Sequence, residues 1–377
     1  MGWKIPDIPD KKEAPKPNYR LRGILFIPMA VAGIFFSLFT LNVTSYFEVM
    51  IYGILPVGLL WMCFMGVSIN RYQQSLNDVL IWNEEKEITK KHWQRWSRRQ
   101  LAIVGNVIFT PEQKGMGALL GEPENVPAYP CKARPLADVT HHSVASLLAD
   151  IHVRLEEQCS DYHHMLHAVY LFSSSTGGDE KTEYAVFQQW GLFPEPFTSI
   201  DAISPLFDND FDGLILVLCA QLWQEGNEKR ESEFVSAQLI SSSLFAQQNS
   251  IPVFAGLGRV MPLDPEGIAY NMDILLEYNQ LQVNELHHVW VTQTDETLVA
   301  NIMQYADQRQ WQLPKRLPVH LIDHSFGPAS DMAFPLALAM LTDAVNITGQ
   351  DQLIIGRTLP QTKTMQLCLI TEKLFSE

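Results

Sequence analysis

Two uninterrupted apolar runs dominate the hydrophobic pattern of the chain. Residues 23–43 read GILFIPMAVAGIFFSLFTLNV and residues 49–69 read VMIYGILPVGLLWMCFMGVSI, each 21 residues without a charge, with TSYFE between them. About 20 apolar residues let a helix cross the hydrocarbon core of a bilayer. Backbone in lipid must satisfy its own hydrogen bonds, so both runs are expected to be helices, with Pro28 and Pro56 inside them. Lys4, Lys11, Lys12, Lys16, Arg20 and Arg22 precede the pair, and Arg71, Lys86, Lys90, Lys91, Arg95, Arg98 and Arg99 follow it. The connection has no basic residue, so a transmembrane hairpin with both termini cytoplasmic is expected.

Beyond the hairpin the pattern changes. Residues 71–100 are polar and rich in helix formers, with Leu76, Val79, Leu80 and Trp82 as a partial stripe. Trp93 and Trp96 follow among basic residues, either as interfacial anchors or as packing against the next domain. AIVGNVIF at 102–109 predicts a short strand. Residues 111–137, with Pro111, Gly115, Gly117, Gly121, Pro123, Pro127, Pro130 and Pro135, predict a long loop, either a linker or a functional segment. Val144, Leu147, Leu148, Ile151 and Leu155 place an amphipathic helix over 139–159.

Strands are then predicted at 166–172, 212–219, 252–255, 286–291 and 318–322. Helices are predicted at 181–190, 231–248, 264–282 and 295–311, the last capped by Thr294 or Asp295. That alternation predicts an α/β domain with a largely parallel sheet. PLALAMLTDAVNI at 335–347 is apolar all round and must be buried as a helix. Segments 352–359 and 364–371 close the chain as an antiparallel hairpin turning at 360–363. The expected organisation is a disordered basic tail (1–22), the hairpin (23–71), a juxtamembrane helix, strand and loop (72–137), and an α/β domain (138–377).

Charge narrows the partners. The whole chain carries −15, residues 1–71 carry +3, and residues 72–377 therefore carry −18. Phosphate backbones demand basic surface, which argues against nucleic acid. Cys63, Cys131, Cys159, Cys219 and Cys368 show no CxxC spacing and fit a reducing compartment without disulfides.

Candidate chemistry is sparse. His141, His142, His152, His163, His164 and His167 cluster in sequence, and His163 and His167 stand at i, i+4, but no HExxH accompanies them. Solvated histidines are the simpler reading, and no metal or cofactor is expected. Gly177-Gly178-Asp179 and Gly256-Leu257-Gly258 follow strands, as turns or binding loops. Asp323-His324-Ser325-Phe326-Gly327 follows a strand, where α/β sites gather, so His324 is either an acid–base group or part of a capped turn.

The final segments, PVHLI, DHSFGPASD, PLALAMLTDAV, LIIGRTL and MQLCLIT, resemble the end of a thiolase-like (ketoacyl-synthase) domain. Such domains run strand, His-containing loop, buried helix, then two β segments. In that family Gly precedes the histidine and the nucleophilic Cys starts a buried helix. Here Asp323 precedes His324 and Cys219 ends a predicted strand, so the resemblance implies a layered α/β thiolase-like cytoplasmic domain with a degenerate site. With the hairpin, the chain resembles the type VI secretion lipase adapters of Gram-negative bacteria. That resemblance implies an inner-membrane, non-catalytic adapter that binds a phospholipase-type effector and secretion spike components. The regions 111–130, 172–180 and 257–266 are the expected contact segments. The alternatives are an acyl-transfer enzyme using Cys219 with His324, or a structural subunit of a membrane complex.

Overall fold

The computed structural model describes residues 2–42, 45–137, 143–172, 180–197, 200–223, 229–263, 267–293, 296–328, 332–357 and 365–375. The chain divides into two units, one of Pro6–His92 and one of Met1–Ile5 with Trp93–Glu377.

The first unit is built on α1 (Tyr19–Phe39), α2 (Tyr46–Val49), a π turn at Met50–Ile54, and α3 (Leu55–Arg98), whose last turns belong to the second unit. The Asn18 side chain caps α1 by accepting from the Leu21 N–H. Two helical stretches, Tyr19–Phe39 and the continuous Tyr46–Arg98, are long and apolar enough to cross a membrane. Their apolar side chains remain exposed, as at Ile24, Phe35, Phe36, Leu59 and Phe64, whereas the core helix of a soluble domain would bury them. The helices touch at Gly33 and Gly53, where a Cβ on Gly33 would lie 2.5 Å from the Gly53 carbonyl oxygen. Only glycine lets the two backbones come so near.

The N-terminal segment is not the free tail its composition predicts. Trp82 Nε1 donates to the Pro9 carbonyl at 2.9 Å, Asp10 pairs with Lys86 at 2.7 Å, and the Ala14 N–H donates to Ser75 Oγ at 3.2 Å. In the second unit Trp3 is 8% exposed and meets Trp96 edge-on at 5.5 Å. One buried indole supplies enough apolar contact to order a few polar neighbours. Of the two readings for Trp96, packing against the domain is the one realised.

The strands of the second unit are β1 (Leu101–Phe109), β2 (Leu166–Phe172), β3 (Glu195–Phe197), β4 (Leu214–Gln221), β5 (Phe234–Ser242), β6 (Ala255–Leu257), β7 (Met261–Leu263), β8 (His288–Thr292), β9 (His320–Leu321), β10 (Gln352–Arg357) and β11 (Met365–Thr371). Its helices are α4 (Val144–Gln158), α5 (Tyr162–Met165), α6 (Glu180–Trp190), α7 (Ser243–Gln248), α8 (Ile268–Asn279), α9 (Glu296–Gln308), α10 (Ile322–Phe326) and α11 (Ala333–Thr348). The strand order is β3-β2-β4-β5-β1-β6-β11-β10-β8-β9, with β7 on β11.

This order is a repeat. In the first half β3, β2 and β4 are parallel, and β5 and β1 follow antiparallel. In the second half β9, β8 and β10 are parallel, and β11 and β6 follow antiparallel. The antiparallel pairing of β1 with β6, from Leu101 opposite Leu257 to Ile103 opposite Ala255, joins the halves. The sheet is therefore mixed rather than largely parallel. The stretch 72–137, expected to precede the domain, supplies its middle strand. The apolar helix α11 is buried along Ala333–Thr342 and shares a core with Ile103, Ile240, Ile354 and Ile370 from both halves.

The stretch 231–248, expected as one helix, is strand β5 followed by α7. All nine residues of β5 are buried, so no period-2 alternation is visible in the sequence. Its polar residues are satisfied internally: Gln238 Nε2 donates to Thr342 Oγ1 at 3.0 Å and Ser241 Oγ to the Gly213 carbonyl at 3.2 Å.

Candidate functional site

The DHSFG segment folds as α10 immediately after β9. The Asp323 carboxylate accepts from Thr292 Oγ1 at 2.9 Å and from the Gln293 N–H, tying α10 to the end of β8. Burial pushes the Asp323 carboxyl up, and these two donors pull it back. Gly327 ends α10 with φ +93°, and a Cβ there would lie 2.4 Å from the Lys132 carbonyl oxygen. That contact comes from the loop 111–137, which is laid over the turn. The Tyr129 N–H donates to the His324 carbonyl at 2.7 Å, and the Arg134 N–H to Ser232 Oγ at 3.1 Å. Arg134 also pairs with Glu112 at 2.6 Å and stacks on Tyr129. Met116 and Leu119 of the same loop are buried in the core. The His324 residue itself is exposed.

Cys219 lies in β4 between Phe172 of β2 and Ser236 of β5 and is 2% exposed. Burial pushes its thiol up to about 12, so it is protonated at neutral pH. The structure thus places Cys219 within the core and His324 in solvent. We expect iodoacetamide at pH 7 to label exposed Cys131 in the folded protein and to leave buried Cys159, Cys219 and Cys368 unmodified, as read by peptide mass spectrometry. Labelling of Cys219 at a rate like that of Cys131 would contradict this.

The internal repeat adds a second observation. In the second half, the β9–β10 connection carries the buried helix α11. Among the described residues, the equivalent β3–β4 connection carries a 3₁₀ helix at Ile200–Phe207 and no longer helix. Residues 198–213 contain no cysteine, and α11 begins Ala333-Phe334-Pro335. Neither position supplies the nucleophile that the resemblance calls for at the start of a buried helix.

His163 lies beside both His152 and His164, with ring centroids 6.3 and 5.6 Å apart. His152 Nδ1 lies 2.6 Å from Tyr162 Oη, which accepts from Trp190 Nε1 at 2.7 Å, so His152 serves a buried structural group. Burial raises the Tyr162 hydroxyl to about 12. The i, i+4 pair is split, because α5 ends at Met165 and His167 belongs to β2. Among the described residues no group of three or more His, Cys, Asp or Glu is placed to hold a metal. His141, His142 and Gly177-Gly178-Asp179 lie outside the described residues. Gly256 and Leu257 lie in β6, which pairs with β1 and β11, Gly258 follows it, and of the expected contact segment 257–266 residues 264–266 lie outside the described residues.

A polar cleft that no sequence motif marks lies beside β1. Its volume is about 570 Å³, and Asn106, Glu112, Lys114, Arg154, Gln158 and Asp343 are among its lining residues. A register shift between Ile103 and Gly105 sets up the strand geometry here. Gln158 then holds the Asn106 backbone at both N–H (2.7 Å) and C=O (2.9 Å). Asn106 Nδ2 donates to the Ala339 carbonyl at 3.0 Å, while its Oδ1 is buried without a partner. Burial raises the Asp343 carboxyl. The Gly-Asn pair inside an otherwise apolar strand was the available signal. Such a lining suits polar or main-chain groups better than an acyl chain.

Comparison with solved structures agrees with this architecture. The fold is similar to one chain of a solved complex of a type II polyketide synthase acyl-carrier protein with its ketosynthase bound to the hexaketide, with TM-score 0.55, 8% identity, 73% of this chain and 100% of that chain covered. It is also similar to the ketosynthase from module 1 of the bacillaene synthase from Bacillus amyloliquefaciens FZB42, with TM-score 0.53, 11% identity, 74% of this chain and 73% of that chain covered. A third is the oxazolomycin ketosynthase domain from Streptomyces albus JA3453, with TM-score 0.50, 10% identity and coverage of 73% and 96%. No protein-family model and no curated protein matches the sequence. The second unit is an α/β domain of the thiolase-like fold. Within that fold it carries a layered mixed sheet whose candidate cysteine and histidine stand in separate environments.

Proposed function

We propose that this chain is a membrane-anchored, non-catalytic adapter whose thiolase-like domain binds a protein partner. One observation carries the reading: Cys219 is protonated within the core while His324 stands in solvent beside a packed loop. A thiol that far above neutrality has no thiolate to offer an acyl group. The two exposed apolar helices act as the anchor, and the basic residues flanking them keep both termini on the cytoplasmic side. The partner is a phospholipase-type effector delivered by a type VI secretion system, together with spike components, as the family resemblance implies. The cleft beside β1, bordered by the start of the loop 111–130, offers that partner polar groups.

The test is capture of the full chain, in mild detergent, from bacterial cells that naturally produce it, followed by mass spectrometry. A lipase-like effector or spike component at near-equal stoichiometry is the expected result. Recovery of membrane proteins alone would favour a structural subunit of a membrane complex. Recovery of no protein, combined with labelling of Cys219, would favour acyl transfer by Cys219 and His324.

A further inference from the structure

The apolar hairpin carries a groove at one end. It has a volume of about 640 Å³ and is lined by the first turns of α1, residues 61–72 of α3 and the segment 14–17. Arg22 and Arg71 both line it, and no acidic residue does. Asp10 and Asp78 of the same unit pair instead with Lys86 and Lys11. The rest of the wall is apolar, with Leu25, Met29 and Phe64 running away from the arginines into the uncharged span. The groove is built rather than incidental. Trp61 Nε1 donates to the Arg22 carbonyl at 3.0 Å and its ring lies 5.3 Å from Phe26, while Ala14 is held on Ser75.

Arg22 immediately precedes the first apolar run and Arg71 closely follows the second, so both sit at headgroup depth on one face of the bilayer. Guanidinium groups bind phosphate through paired, charge-assisted hydrogen bonds. Two of them without a lining carboxylate favour a headgroup that brings no cation of its own. A free phosphate would leave the apolar wall unused. Basic pockets between spanning helices are a recurring way to hold anionic lipid. We propose that this groove binds an anionic glycerophospholipid, with its phosphodiester at Arg22 and Arg71 and one acyl chain along Leu25, Met29 and Phe64. The proposal rests on the hairpin being a membrane anchor.

The test uses the full chain expressed in a bacterial membrane, checked by alkaline extraction and then titrated in detergent with phosphatidylglycerol or phosphatidylcholine by native mass spectrometry. The wild type is expected to remain in the membrane pellet and to retain one phosphatidylglycerol in preference to phosphatidylcholine. The R22Q/R71Q variant should stay in the pellet and lose that preference by roughly 30-fold, at about fivefold per arginine. The R20Q variant, which removes a nearby charge that does not line the groove, should behave as wild type. Equal retention of both lipids, an unchanged R22Q/R71Q variant, or full displacement by millimolar inorganic phosphate would each overturn the lipid site while leaving the anchor intact. Release of the wild type by alkaline extraction would overturn the anchor and the lipid site together.

Discussion

As the pH falls from 6.5 to 4, the thiolase-like domain is expected to lose about 3 kcal/mol of stability through one residue, His320. His320 lies in β9, 7% exposed, with its ring stacked on Trp290 at 4.2 Å and its Nδ1 without a partner. His288 lies 5.6 Å away on the same face. Burial, and to a lesser degree His288, pushes the His320 imidazole down to about 4 from its ordinary 6.5. The unfolded chain therefore takes up this proton before the folded one does. The neutral ring's contribution is complete above pH 6.5, falls away as the pH drops towards 4, and changes no further below that. Denaturant midpoints at pH 7, 5.5 and 4.5 measure the loss. H320F keeps a flat ring against Trp290 and removes the proton, so its pH dependence should be flatter than wild type by about that amount. Parallel curves for the two proteins would refute the assignment.

Replacing Arg259 by alanine is expected to cost roughly 3 kcal/mol, because it removes a buried guanidinium and leaves two main-chain carbonyls without their donor. The Arg259 side chain is 6% exposed. Its Nε donates to the Trp96 carbonyl at 2.7 Å, and Nη2 donates to the Phe207 carbonyl at 3.0 Å and to Asp208 Oδ1 at 2.6 Å. The guanidinium also lies over the Trp96 ring at 4.3 Å and near the Phe207 ring at 5.2 Å. It therefore joins the last turns of α3, the strand β6–β7 region and the 3₁₀ helix between β3 and β4. Lysine cannot reproduce the planar fork, so R259K should recover little of the loss. D208N should cost well under 1 kcal/mol, since the Asp208 side chain is 51% exposed and water can replace it. Denaturant midpoints of the three variants decide this. Equal losses in D208N and R259A would mean that the ion pair alone matters.

These two sites differ in how far they could be read in advance. The residues around His320 belong to a strand–helix alternation that hydrophobic period alone predicts, and β2 falls at 166–172 as expected. The stacking of His320 on Trp290 depends on parallel pairing of β8 with β9, which no local pattern encodes. Arg259 gives no signal at all in sequence, because its partners lie about 50 and 160 residues away. Cys219 and His324 were legible as residue types for acyl chemistry. Their contrasting burial was not, since it depends on which strand is covered by the core and which turn by the loop 111–137. Asn106 and Asp343 form one cleft only because α11 returns beside β1.

The sequence by itself determined the elements whose cause is local. Two 21-residue apolar runs flanked by basic residues can only be long apolar helices, and a helix apolar on every side must be buried. Tertiary structure alone decided everything that depends on what covers a segment. It made 234–242 a strand rather than a helix, because burial on both faces erases the period that would have marked it. It ordered Trp3, because an indole that finds Trp96 outweighs a polar composition. It also set the mixed, repeated sheet order and buried Cys219 while leaving His324 exposed, because strand pairing and burial are long-range contacts that no stretch of sequence contains.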